Sequence, residues 1–257
     1  MRNYAMQPAP VTPMVKKLLI LNVGIWLLLV IGLQELVLHS RVVFEYFGLI
    51  PDSTVFRFYL WQPFTYMFLH SGSEIFHILF NMLLLWWLGA ELELRWGSRF
   101  FLTYYLVCGV GAAVIYTVGA ILYFWLTNQA YVLGVPVVGA SGAVYGLLLA
   151  YGMIFGDRVM YFMMMFPMKA KHLVMILGGI ELVTLLSSGP TGPVATLCHL
   201  GGLATGFLYL LYLAQRRGGG SAGRKKPKRK YGRKLRLVVD NDRLGDDQGD
   251  RPPRYWN

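Results

Sequence analysis

What most limits the folds open to this chain is a series of apolar runs long enough to cross a lipid bilayer. Crossing takes about 20 consecutive, mostly apolar residues in a helix. Six segments meet that length, near 18–38, 75–94, 100–126, 137–155, 172–188 and 195–214. Inside a bilayer every backbone N–H and C=O must find a partner within the protein, and a helix supplies those partners by itself. The expected fold class is therefore an all-α membrane protein, a bundle of six transmembrane helices. Composition agrees: 56% of residues are hydrophobic and 14% charged, with a mean hydropathy of +0.48. A soluble domain carries about 25% charged residues.

Charge placement sets the organisation. The net charge is +11, but residues 215–257 hold 14 Lys/Arg against 5 Asp, so the basic balance belongs to the tail. Three parts are expected: a cytoplasmic segment 1–17, a helical domain 18–214, and a basic, disordered cytoplasmic tail 215–257. Basic residues collect on the cytoplasmic side of membrane proteins. Arg2, Lys16 and Lys17 precede the first run, Arg95 and Arg99 lie between runs two and three, and Arg158, Lys169 and Lys171 lie between four and five. With Arg41 and Arg57 alone on the other side, six spans place both termini in the cytoplasm. The first run continues too far after Lys16-Lys17 to be the apolar part of a cleaved leader. The loop 39–74 carries Phe44, Tyr46, Phe47, Phe56, Phe58, Tyr59, Trp61, Phe64, Tyr66 and Phe68. That aromatic density suits the membrane–water interface. Cys108 and Cys198 have neither metal-ligand nor disulfide-framework spacing and read as packing thiols.

Four stretches carry candidate chemistry. Gly139-Ala140-Ser141-Gly142 opens the fourth span, with Gly142, Gly146 and Ala150 at four-residue spacing; alone, this is a packing stripe. In the sixth span His199 shares a helix face with Gly202 and Gly206. If the two stripes pack together, Ser141 and His199 meet, and a serine needs such a neighbouring base to become nucleophilic. His77 and Asn81 are i,i+4 in the second span and could hold a developing oxyanion, or could serve as hydrogen-bonding glue between helices. Tyr145, one turn after Ser141, could pack on the His199 ring. Spans two, four and six run in the same direction, and His77, Ser141 and His199 all lie within about five residues of the outer end. At 1.5 Å per residue the three share a depth of roughly 3–8 Å. His172 starts the fifth span at the opposite face, and His39 and His70 lie in the first loop without a serine partner. Glu181 in the fifth span is expected to face protein or water.

With these residues in view, the chain resembles the bacterial rhomboid proteases over residues 15–214. The resemblance rests on His77-x-x-x-Asn81, Gly139-Ala140-Ser141-Gly142, Tyr145, and His199 with Gly202 and Gly206. Trp86-Trp87-Leu88-Gly89 and Glu93 continue the pattern of the second span. It implies an intramembrane serine endopeptidase of the inner membrane with a Ser141–His199 catalytic dyad and no third, acidic member. It also implies an oxyanion site from His77, Asn81 and the Ser141 backbone N–H, with Tyr145 supporting His199. Many members carry Trp-Arg where this chain has Trp61-Gln62, a difference in how the first loop is anchored rather than in the chemistry.

The expected partners are single-span membrane proteins as substrates, and membrane lipids. No cofactor, metal or nucleic acid is expected. The short loop Gly189 to Pro193 could act as a lid. Two other readings compete. One is a catalytically silent relative that binds transmembrane clients. The other is a small transporter using Glu181 and His199 as ion ligands, which lacks the internal repeat such proteins show.

Overall fold

Apolar runs that must satisfy their own backbone fold as helices, and a computed structural model of the chain has them so. It describes residues 10–162, 166–188 and 196–219. Among the described residues five helices are long and apolar enough to cross a membrane: α1 (Pro13–Leu38), α5 (Ile75–Trp96), α6 (Ser98–Thr127), α9 (Ala170–Ser188) and α10, whose apolar span is Thr196–Arg216 and which runs on to Gly219. α6, the third run, has 30 residues, or about 45 Å against a hydrocarbon core of about 30 Å.

The run expected as a span over 137–155 is shorter as a helix, α8 (Ser141–Ile154, 14 residues). Two things hold its start back. Val137 forms a two-way backbone bridge with Leu49, each hydrogen bond 2.9 Å, which keeps the chain extended. Gly139 then takes φ +132, a conformation that ends any helix propagating backward. The stretch from Arg158 to Lys171, between the fourth and fifth runs, contains the only sheet among the described residues. In it β1 (Val159–Phe162) pairs antiparallel with β2 (Phe166–Lys169), Val159 opposite Lys169.

The loop after α1 is built rather than slack. It folds into α2 (Val42–Phe47), α3 (Pro51–Phe56), α4 (Gln62–Thr65) and a 3-10 turn at Tyr66–Phe68. α7 (Tyr131–Gly134) lies in the later loop. Phe56, Phe58, Trp61 and Phe64 stay exposed, whereas Tyr66 and Phe68 are buried. Gln62 is fully buried and ties the loop together. Its Oε1 accepts from the Ile50 N–H (3.1 Å) and the Thr54 hydroxyl (2.9 Å), and its Nε2 donates to the Glu45 carbonyl (3.0 Å). Trp61 adds its indole N–H to the Tyr46 carbonyl at 2.7 Å. These bonds hold the loop around the Trp61-Gln62 step.

The core runs through α5, α6 and α8, with Leu85, Leu88, Phe101, Tyr104, Tyr105 and Leu147 wholly buried. Glu93 is buried at the far end of α5 because it caps α1. Its carboxylate accepts from the backbone N–H groups of Met14 and Val15, each at 2.9 Å, and from the hydroxyls of Thr12 and Ser98. A carboxylate at a helix N-terminus satisfies orphan donors and meets the positive end of the helix dipole. The tail 220–257 lies outside the described residues.

Candidate active site

Three helices and one extended segment meet at one end of the bundle. α8 and α10 can approach there because each presents glycine to the other. A Cβ at Gly202 would overlap the Gly142 carbonyl, and one at Gly206 would lie 3.4 Å from the Gly146 Cα. Small residues of this kind allow backbones to touch inside membranes. The close approach carries Ser141, at the first turn of α8, to His199, at the first turn of α10. Ser141 Oγ lies 2.8 Å from His199 Nε2. The Tyr145 ring stacks on the imidazole with centroids 4.4 Å apart and planes 10° from parallel.

The segment before Ser141 is held by the first loop. Gly139 N–H donates to the Tyr66 carbonyl at 3.0 Å, beside the Leu49–Val137 bridge. Tyr66 is itself buried, its hydroxyl donating to the Gly109 carbonyl of α6 at 2.7 Å. The loop and the serine thus share one scaffold. As the first residues of a helix, Ser141, Gly142 and Ala143 have backbone N–H groups without intrahelical acceptors. The first helical bond runs from Val144 N–H to the Ala140 carbonyl, 3.0 Å.

His77 flanks the same space. A Cβ placed on Gly139 would lie 2.8 Å from His77 Nε2 and 3.5 Å from Ser141 Oγ, so a side chain there would fill the gap between them. His77 Nδ1 accepts from the Ser71 backbone N–H at 3.4 Å. The proton of the neutral ring then sits on Nε2, as a donor facing the serine. Asn81 is buried one turn further along α5, and one of its two amide hydrogens goes back to the His77 carbonyl at 2.8 Å.

His70, which sequence reasoning set aside, and Glu181 also belong to this end of the molecule. His70 is fully buried, its ring centroid 5.3 Å from that of His77, and its Nε2 faces the Ala140 N–H at 3.5 Å. Burial first, and the nearby His77 second, push its pKa down from 6.5 to about 3, so it is neutral at ordinary pH. Glu181 on α9 is also buried. Its Oε1 lies 2.9 Å from His199 Nδ1 and also accepts from the Tyr145 hydroxyl. The family resemblance implied no acid behind His199; the structure places one there. Glu181 faces protein, one of the two environments expected for it. The segment Gly189 to Pro193, expected as a lid, lies outside the described residues.

The arrangement can perform acyl transfer: a hydroxyl against an imidazole, with donors on the far side of the reacting position. Residues 57–216 match the model of the Rhomboid domain. RHOMBOID-like protein 1 of Arabidopsis thaliana is 30% identical over 171 residues, 66% of this chain and 39% of that protein. Rhomboid-like protein 19 of the same plant is 28% identical over 197 residues, 75% of this chain and 60% of that protein. Rhomboid protease GlpG of Salmonella choleraesuis (strain SC-B67) is 33% identical over 108 residues, 42% of this chain and 33% of that protein. The chain thus spans between a third and three fifths of the length of these relatives.

Proposed function

The chain belongs to the rhomboid family, and we propose that it is an intramembrane serine endopeptidase cutting single-span membrane proteins. The observation that carries this reading is the 2.8 Å contact between Ser141 Oγ and His199 Nε2. In the proposed reaction His199 takes the Ser141 proton as Oγ attacks a peptide carbonyl. The imidazolium then gives that proton to the leaving amine. The resulting acyl-enzyme is opened by water, with His199 acting as base a second time. His77 Nε2–H, Asn81 and the Ser141 backbone N–H would stabilise the tetrahedral oxyanion. None of these steps calls for a metal or cofactor.

The site would lie a few ångströms below the outer membrane face, with both termini cytoplasmic. The basic residues at 2, 16, 17, 95, 99, 158, 169 and 171 support that orientation. Match to a bacterial protease and to plant proteins leaves the family assignment broader than bacteria; the inner membrane of a bacterium is our proposed location. The basic tail would lie on anionic lipid or simply fix topology.

Fluorophosphonate labelling of the purified protein in lipid, with cleavage of a reporter carrying one transmembrane span, tests the proposal. Labelling confined to Ser141, with cleavage lost in Ser141→Ala and in His199→Ala, is expected. Intact folding with no labelling and no cleavage in the wild-type chain would favour a silent, client-binding relative.

A further inference from the structure

We infer that Glu181 is a positioning residue that converts the Ser141–His199 pair into a Ser–His–Glu relay; this rests on the protease reading. The case begins with α9. Of its described residues Ala170, Leu173 and Glu181 are buried, while Ile180, Leu182 and Val183 beside Glu181 are exposed on the apolar exterior. An acid buried in such a helix is costly unless its partners compensate. Here the compensation is concentrated on one atom. Oε1 receives both His199 Nδ1, at 2.9 Å, and the Tyr145 hydroxyl, while Oε2 has no protein partner among the described residues.

This fork has three chemical consequences. A carboxylate only accepts hydrogen bonds, so the imidazole proton is fixed on Nδ1 and the Nε2 lone pair is left for Ser141. The ring is then held at three points: Glu181 on Nδ1, Ser141 on Nε2, and Tyr145 across its face. When His199 takes the serine proton, the positive charge that forms on the ring lies beside a negative one that was already in place. Tyr145 serves the relay twice, stacking on the base and holding the acid that orients it. Glu181 touches neither substrate nor nucleophile and acts through His199.

A tie between helices would look the same in a static structure, so the test separates chemistry from packing. In proteoliposomes with a single-span reporter, Glu181→Gln keeps the shape but can present an amide N–H to Nδ1 and favour the wrong tautomer. A fall in kcat of about 10²–10⁴-fold with KM unchanged is expected, by analogy with acids that orient histidine bases elsewhere. Glu181→Asp, which keeps the charge one methylene short, should recover part of that loss. The second readout needs no variant of Glu181. In wild-type protein labelled with ¹⁵N-histidine, the His199 Nδ1–H proton should resonate far downfield, as imidazole–carboxylate pairs do, and vanish in His199→Ala. Wild-type kcat in Glu181→Gln would overturn the inference and leave Glu181 as helix glue. If Glu181→Gln fails to fold, absence of the downfield proton in the wild type overturns it instead. A wild-type chain that neither cleaves nor labels at Ser141 overturns the protease reading itself, whereas an active wild type with an equally active Glu181→Gln overturns only this role.

Discussion

Gly202 on α10 lies so close to the carbonyl of Gly142 on α8 that a Cβ at Gly202 would overlap it. The obstacle is backbone, which cannot swing aside as a side chain can. Gly202→Ala should therefore part the two helices and lower stability by about 1–3 kcal/mol, the usual cost of overpacking. Because the same contact brings Ser141 to His199, cleavage should fall as well. Thermal unfolding in detergent and reporter cleavage read the two effects; an alanine variant equal to wild type in both would show that the helices can slide apart freely.

The oxyanion donors should reveal themselves in turnover rather than in binding. His77→Ala and Asn81→Ala should each reduce kcat, by up to about 10²–10³-fold for loss of one donor. Overlap between the two and the Ser141 N–H would soften each single effect. Steady-state kinetics of the double variant decide the matter, since an unchanged kcat would make both residues structural.

Gln62 is a neutral side chain that makes its bonds to the loop from inside. Gln62→Ala would strand the Ile50 N–H and the Thr54 hydroxyl in a buried place and release the Glu45 carbonyl. Leaving buried polar groups unpaired costs about 1–3 kcal/mol each when no water reaches them. A clear drop in melting temperature is expected, with looser protection of the loop in hydrogen exchange.

Acid should destabilise the protein through His70. Its pKa falls from 6.5 to about 3 on folding. Between those values the unfolded chain binds the proton and the folded one does not. Stability is therefore full above about pH 6.5 and declines as pH falls toward 3, at most about 1.4 kcal/mol per pH unit. The neighbouring His77 and the backbone N–H of Ala140 face the same ring. His70→Gln, which keeps an acceptor but cannot charge, should flatten the decline in a pH series of unfolding midpoints.

The cut itself should fall near the outer end of the substrate span, after a small residue such as Ala, Ser or Gly. Gly139, His77 and Ser141 crowd the reacting position, as the 2.8 Å and 3.5 Å distances from a Cβ at Gly139 indicate. A helical peptide bond must also leave its helix before it can be attacked, so Gly or Pro near the cut should speed cleavage. Mass spectrometry of the products from a scanned model span reads both features. Cleavage at the cytoplasmic end, or after Phe or Leu, would count against the orientation and the crowding together.

Much of the architecture was legible because length and hydropathy alone dictate which segments become helices in a bilayer. The runs at 75–94 and 100–126 appear as Ile75–Trp96 and Ser98–Thr127, within a few residues. The start of α8 was not legible, since it depends on a backbone bridge to Leu49 that sequence periodicity cannot register. The β1–β2 hairpin was missed because its Met- and Phe-rich strands look like interfacial chain. At the site, glycine spacing and shared depth singled out Ser141, His199, His77 and Tyr145, which the structure brings together. The partner of Glu181 could not be read. α9 is apolar nearly all round, so its sequence does not say which way the helix is turned, and that rotation alone aims the carboxylate at His199. His70 escaped for a similar reason, sitting in a loop whose irregular turns hide which residues point inward.

The short length of α8 acts as a ruler. Fourteen residues rise about 21 Å, against a hydrocarbon core of about 30 Å. A helix that begins flush with one face of the bilayer must therefore stop, or start, roughly 9 Å short of the other. If the far end of α8 is flush with its own face of the bilayer, Ser141 would stand at that shortfall, and the depth of the nucleophile would be set by where the helix begins. Adding or removing one turn of α8 would shift the reaction plane by about 5.4 Å, and with it the stretch of a substrate span that the protein can address.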